Sequence, residues 1–338
     1  MLSEIEMRLL QNNSKELAID SIFLGGGTPS LIEPKQLEKI FSIISKFATI
    51  KSTSEITLES NPGTLTNSKL SGFKSVGINR LSIGVQSFND DELGVLDRIH
   101  SAKEAENVVI EAYKSGYKNL SIDLIYAIPG QTLRSWSSTL NKAVKLPVNH
   151  ISAYNLIYEE GTPLFDNSVN GKVQPASNDY ESKLFYKTVH ELGEAGFEQY
   201  EISNFAKAGA KCLHNLKYWR GEQYLGFGAS ACGCVSGVRY KNVPDVHKYI
   251  SSLKENTLPE ISSEILTNKQ KRTELIFLGM RSEGVFLDYL LEPADFEKIL
   301  NYIEMLLQMK LATLNKGILK LTTEGYAICD EISLNLIP

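Results

Sequence analysis

The chain has 338 residues, with 35 Lys and Arg against 40 Asp and Glu, a net charge of −5 and a pI of about 5.7. With 42% hydrophobic and 22% charged residues it has the makings of a sizeable core, which excludes a mainly disordered chain, and the acidic balance excludes a general nucleic-acid binder. No apolar run of about 18 residues predicts a transmembrane helix, and the acidic start is no signal peptide. The cytosol is therefore the expected compartment, with peripheral membrane association left open.

Leu2, Ile5 and Leu9 stand at helical spacing. Ile19–Leu24 is a short apolar run stopped by Gly25-Gly26-Gly27, which predicts a buried strand. A helix through Leu37, Ile40, Phe41 and Ile44 leads to strand Ile56–Glu59, ended by Asn61-Pro62-Gly63. Helix 68–75 precedes strand Arg80–Val85, and helices 90–96 and 102–115 precede strand Leu120–Ile125. Helix 133–144 then leads to strand His150–Tyr154. Strands that start near 20, 56, 80, 120 and 150, with helices between them, form a βα repeat with a parallel sheet.

A doubly wound sheet and a whole or partial (β/α) barrel both fit that repeat. Glu59, Gln86 and Asp123 sit at or near three successive strand ends, and Gly25–Thr28 follows a fourth. Any one of these polar residues serves equally well as a turn partner. Their recurrence favours a barrel, where strand ends converge on one mouth. The glycine run is neither a P-loop nor a dinucleotide fingerprint, and alone it reads equally as a tight βα turn.

From Asn155 the alternation weakens. Residues 155–177 read as a loop-rich insertion, followed by a helix over 180–195. Helices over 268–280 and 295–309, a hairpin over 311–321 and a helix over 323–334 outline a winged-helix-like module. Without a basic recognition face it is expected to be structural or a lid. The four cysteines, Cys212, Cys232, Cys234 and Cys329, form no zinc or iron–sulfur spacing. Among the five histidines, His214 stands out because Tyr218 and Trp219 follow it in His-Asn-Leu-Lys-Tyr-Trp. An imidazole beside flat aromatics suits heme iron, and equally a hydrogen-bonded structural role.

Seven motifs occur in order: Phe23-Leu-Gly-Gly-Gly-Thr-Pro-Ser30, Glu59-Ser-Asn-Pro-Gly63, Asn79-Arg-Leu-Ser-Ile-Gly-Val-Gln-Ser-Phe88, Asp123-Leu-Ile-Tyr-Ala-Ile-Pro-Gly-Gln-Thr132, His150-Ile-Ser-Ala-Tyr154, Tyr200-Glu-Ile-Ser-Asn-Phe205 and His214-Asn-Leu-Lys-Tyr-Trp219. Together they resemble the radical SAM heme chaperones of the HemW family, relatives of oxygen-independent coproporphyrinogen III dehydrogenase. The resemblance runs from about residue 1 to the C-terminus. It implies an α/β fold: a partial (β/α)6 radical SAM, TIM-like barrel with a smaller C-terminal winged-helix-like α+β domain. On that reading residues 1–155 are the barrel core, 156–262 complete the barrel and carry the heme motif, and 263–338 form the last domain.

The resemblance implies S-adenosylmethionine, a [4Fe–4S] cluster and heme. Gly26, Gly27 and Thr28 would meet the methionyl end of S-adenosylmethionine. Glu59, Gln86, Arg98, Asp123 and Ile157 would complete its pocket, with Arg98 suited to the carboxylate. His214 would ligate heme iron, with Cys212 and Tyr218 as weaker candidates. Cys232 stands where relatives often carry a histidine. The family's Cys-x3-Cys-x2-Cys loop is not in this sequence, so the barrel is expected to lack its first strand and cluster loop, as an incomplete chain would. The implied function is delivery of heme to respiratory hemoproteins. The alternative is radical SAM decarboxylation of coproporphyrinogen III, and no catalytic residue is assigned for it.

Overall fold

The computed structural model describes residues 1–11, 17–291 and 295–337. Five strands run parallel: β1 (Ala18–Leu24), β2 (Thr49–Ser60), β3 (Arg80–Gln86), β4 (Asn119–Tyr126) and β5 (His150–Asn155). Two short strands, β6 (Glu198–Gln199) and β7 (Asn204–Ala206), continue the sheet antiparallel in the order β1-β2-β3-β4-β5-β7-β6. The sheet curls into a half-barrel. Helices Pro34–Phe47, Asn67–Ser75, Ala102–Lys114 and Leu133–Ala143 make the returns between successive strands.

Strand periodicity sorts the two faces. Leu58, Leu81 and Leu120 share one register row, and Ile83, Ile122 and Ile151 another; all are buried toward the helices. The alternate residues are polar and point the other way. Glu59, Ser82, Ser121 and His150 form one row across four strands. Gly84, Asp123, Ser152 and Asn204 form the next. The apolar half of each strand therefore packs the helical layer, and the polar half faces the lumen.

The expected strands and long helices are present. β2 extends back to Thr49, through a polar stretch without apolar alternation. Residues 163–169 are a short helix, and His-Asn-Leu-Lys-Tyr-Trp lies within helix Leu213–Trp219. A three-stranded sheet not foreseen from the sequence is built by β8 (Cys232–Val235), β9 (Val238–Asn242) and β10 (Glu260–Ile265). β10 is exposed along its whole length, so it carries no burial pattern to read.

The last part has helices Asn268–Met280 and Phe296–Gln308 and a small sheet of β11 (Val285–Phe286), β12 (Ala312–Asn315) and β13 (Ile318–Leu321). Lys316 and Gly317 both have positive φ, 50° and 78°, which gives the two-residue turn the right twist for a hairpin. The final predicted helix is two, Thr323–Tyr326 and Cys329–Leu336.

Helix Leu2–Gln11 is welded to the β8–β10 region by buried charges. Arg8 reaches Glu4 at 3.0 Å, Glu260 at 2.8 Å and the Asn242 side chain at 2.7 Å. Glu4 also accepts from the Gly228 N–H at 2.9 Å and the Tyr249 hydroxyl at 2.6 Å. Removing one member of a buried pair strands its partner's charge, at about 3–5 kcal/mol. Arg8→Ala is therefore expected to lower stability by about 3 kcal/mol or more in urea unfolding. A loss below about 1 kcal/mol, the scale of an exposed pair, would show that the network does not hold the helix.

Candidate functional site

A cleft of about 1400 Å³ takes in the polar face of the half-barrel and extends to apolar side chains of the first two helices, Ile5, Leu9, Ile40 and Ile44. Its walls bring together the Gly26-Gly27-Thr28 turn, Glu59, Asp123 and His214 from four separate places in the chain. Gly26 and Gly27 have φ of +80° and +54°, a conformation that favours glycine, and a Cβ at either would meet nothing within 4 Å. That leaves bare backbone facing open space. The Gly26 N–H donates to Glu59 at 3.2 Å, and the Asn61 amide donates to the Thr28 hydroxyl at 3.1 Å, so the glycine turn is tied to the end of β2.

Glu59 and Asp123 are held away from their ordinary acidity. Burial raises the Glu59 pKa, and the Asp123 charge adds to the rise. Burial also raises Asp123, against hydrogen bonds from Ser152 and Ser82. The Ser82 hydroxyl lies 3.1 Å from Asp123. Two carboxyls in one cleft suit a cationic group, because a bound ammonium would favour ionisation of both.

Gln86, Arg98 and Ile157 do not line this cleft. Gln86 ends β3 at a bulge with φ of +65°. Arg98 is exposed, and its guanidinium has no hydrogen-bond or ion-pair partner among the described residues. Ile157 stands exposed beyond β5.

His214 is built into the wall of the same cleft beside β1. Glu55 of β2 accepts from the backbone N–H of Leu213 at 3.1 Å and of His214 at 3.0 Å, at the start of helix Leu213–Trp219. A carboxylate there satisfies amides that the helix cannot. The imidazole stacks on Phe23 with centroids 4.9 Å apart and planes at 24°, and it meets the Tyr218 ring edge-on at 5.0 Å. Its Nδ1 lies 2.9 Å from the Ser21 hydroxyl. Lys217 of the same helix binds Asp20 at 3.1 Å and Glu222 at 2.6 Å. Burial lowers the His214 pKa to about 4, so the ring is neutral at physiological pH.

Cys212 is fully buried and donates to Glu55, and burial pushes its thiol up to about 12. It faces protein, not the cleft. Tyr218 does line the cleft, and burial raises its phenol to about 12, so it stays protonated. Cys232 is an exposed thiol on the same cleft.

Ser21 and Glu55 lie outside every motif quoted above, and Phe23 and Arg80 lie inside two of them without an assigned role. Their signal is alternation: Ser21 with Phe23, Arg80 with Ser82, and Ser121 with Asp123 each stand two apart, on one face of a strand.

Glu55→Ala would leave the buried Arg80 guanidinium, 3.9 Å away, without its counter-charge and open the helix start. A stability loss of about 3 kcal/mol is expected in denaturant unfolding. A loss within about 0.5 kcal/mol, as for an ordinary surface change, would contradict this role.

The sequence pattern of the radical SAM superfamily matches residues 2–143. The chain is 36% identical over 283 residues to the heme chaperone HemW of Bacillus subtilis, covering 83% of this chain and 75% of that protein. With HemW of Lactococcus lactis it shares 33% over 316 residues, covering 92% and 83%. With the mitochondrial radical S-adenosyl methionine domain-containing protein 1 of Mus musculus it shares 32%, covering 98% and 79%. The solved structure of coproporphyrinogen III oxidase (HemN) from Escherichia coli superposes with a TM-score of 0.83 over 99% of this chain and 81% of that one, at 19% identity, which is a likeness of fold.

Radical SAM membership implies S-adenosylmethionine and a [4Fe–4S] cluster. The open glycine turn and paired carboxyls fit the first. The cysteines do not fit the second: Cys212 and Cys329 are buried apart, and Cys232 and Cys234 share one strand. Among the described residues no three His, Cys, Asp or Glu side chains converge as a metal requires.

Proposed function

This chain belongs to the HemW family of the radical SAM superfamily, and on that footing we propose that it is a cytosolic heme chaperone that binds heme and passes it to respiratory hemoproteins. The observation that carries the reading is His214: a neutral imidazole on the wall of a large cleft, clamped by Phe23 and Tyr218, with no hydrogen bond to its Nε2 among the described residues. Neutral imidazole is a good iron ligand, and aromatic rings beside it give a porphyrin flat surfaces to cover. Among the described residues no helix is long and apolar enough to cross a membrane.

Heme is cargo here. His214 supplies the axial bond, and the cleft supplies shielding from water. Release then needs only loss of one iron–nitrogen bond and an open wall, which suits transfer to a recipient.

S-adenosylmethionine, when bound, supplies a sulfonium with activated carbon–sulfur bonds. Gly26, Gly27 and Thr28 would offer backbone and hydroxyl groups to its amino-acid end. Glu59 and Asp123 would hold its ammonium, an assignment their mutual repulsion supports. Arg98, whose guanidinium has no partner among the described residues, would take the carboxylate, and Gln86 and Ile157, which like it stand outside the cleft lining, would complete the pocket. The cysteines of this chain do not fit a cluster.

His214→Ala is expected to weaken hemin binding at least tenfold and to shift the heme absorption band, while Cys212→Ala leaves both unchanged. Because the imidazole is held neutral with a pKa of about 4, affinity should be level from about pH 8 to pH 6 and should fall only on approaching pH 4. Titration by absorbance checks both. A wild-type band and affinity in His214→Ala would reject the assignment.

A further inference from the structure

Ser21 carries no role in any motif, yet it is the only side chain hydrogen-bonded to the His214 ring among the described residues. We infer that Ser21 is a positioning residue for the cargo ligand: its hydroxyl oxygen accepts the Nδ1 proton and leaves Nε2 as the bare iron-binding nitrogen. The inference rests on the heme reading of the cleft.

The geometry narrows the ring to one orientation. Ser21 and Phe23 are two apart on β1 and so share a face. Ser21 engages the ring edge at 2.9 Å while Phe23 stacks on its plane at 4.9 Å. Tyr218 closes on it edge-on at 5.0 Å, and Glu55 pins the backbone of the same residue at 3.0 Å. Turning the ring over would break the Ser21 bond and aim carbon at that hydroxyl. Nδ1 is therefore committed to the protein, and Nε2 is the nitrogen left for a ligand.

A hydroxyl can donate or accept, so the distance alone allows either proton position. A ring preset for metal settles it in the heme-free protein as well. Iron at Nε2 needs the lone pair there, which puts the proton on Nδ1 and makes Ser21 the acceptor. The choice of a hydroxyl has a consequence for cargo. A carboxylate at this position would lend the imidazole anionic character and tighten the iron bond. Asp20, the neighbouring carboxylate, is instead taken up by Lys51 and Lys217. A neutral partner orients the ligand and leaves the bond weak enough to give up.

The test uses the full chain with Ser21→Ala, Ser21→Thr and His214→Ala, each checked for folding by circular dichroism. Nitrogen-15 NMR of histidine-labelled, heme-free wild type should show His214 protonated on Nδ1. Ser21→Thr should keep that tautomer, and Ser21→Ala should lose it. In hemin titrations Ser21→Ala should bind about 10- to 100-fold more weakly, and Ser21→Thr should stay close to wild type. If His214→Ala loses binding while Ser21→Ala keeps wild-type affinity, the role of Ser21 is overturned and the heme reading stands. If His214→Ala also binds normally, the heme-ligand reading falls. A wild-type His214 protonated on Nε2 overturns the inference in the absence of any heme.

Discussion

The Glu55 carboxylate, near the middle of β2, accepts the backbone N–H groups of Leu213 and His214, receives the Cys212 thiol and faces the Arg80 guanidinium at 3.9 Å. Residues 158 apart in sequence thus share one charge. The helix that carries His214 has only seven residues, too short to persist alone in water. It is held by Glu55 at its start and by Lys217 to Asp20 further along. Without those ties the imidazole would have no fixed place against Phe23, and the cleft would lose a wall.

That arrangement is possible because the lumen of this half-barrel is polar. Arg80, Ser82, Ser121, His150 and Ser152 are all buried and all face inward. His150 is bonded on both ring nitrogens, to Ser121 at 2.7 Å and to the Tyr200 hydroxyl at 2.8 Å. Burial, with Arg80 nearby, pushes its pKa well down, so it is a structural neutral ring. The contrast with His214 is instructive. Both rings are neutral, but one has both nitrogens taken and the other has one left over on an open cleft. The spare nitrogen, not the histidine as such, marks the ligand.

Much of the parallel half of the fold was legible in the sequence, because its strands and helices carry regular apolar spacing that Leu58, Leu81 and Ile83 then satisfy in the core. The β8–β10 sheet was not, since β10 is exposed throughout and alternation has nothing to report. The glycine turn, Glu59 and Asp123 announced themselves as polar or flexible residues at strand ends, and they share the cleft. Gln86 announced itself in the same way, and Arg98 and Ile157 came from family resemblance, but all three lie outside its lining. Ser21 and Glu55 were invisible for a different reason: a serine and a glutamate in a strand become informative only when a distant helix is brought to them.

The central claim is that His214 binds heme iron through Nε2 on the wall of this cleft. The most direct measurement is a crystal structure of the hemin complex with data collected at the iron absorption edge. The account predicts one iron peak in the cleft, within bonding distance of His214 Nε2, with Ser21 still on Nδ1. An iron peak bonded to another residue, or bound outside the cleft with the His214 ring unmoved, would contradict it.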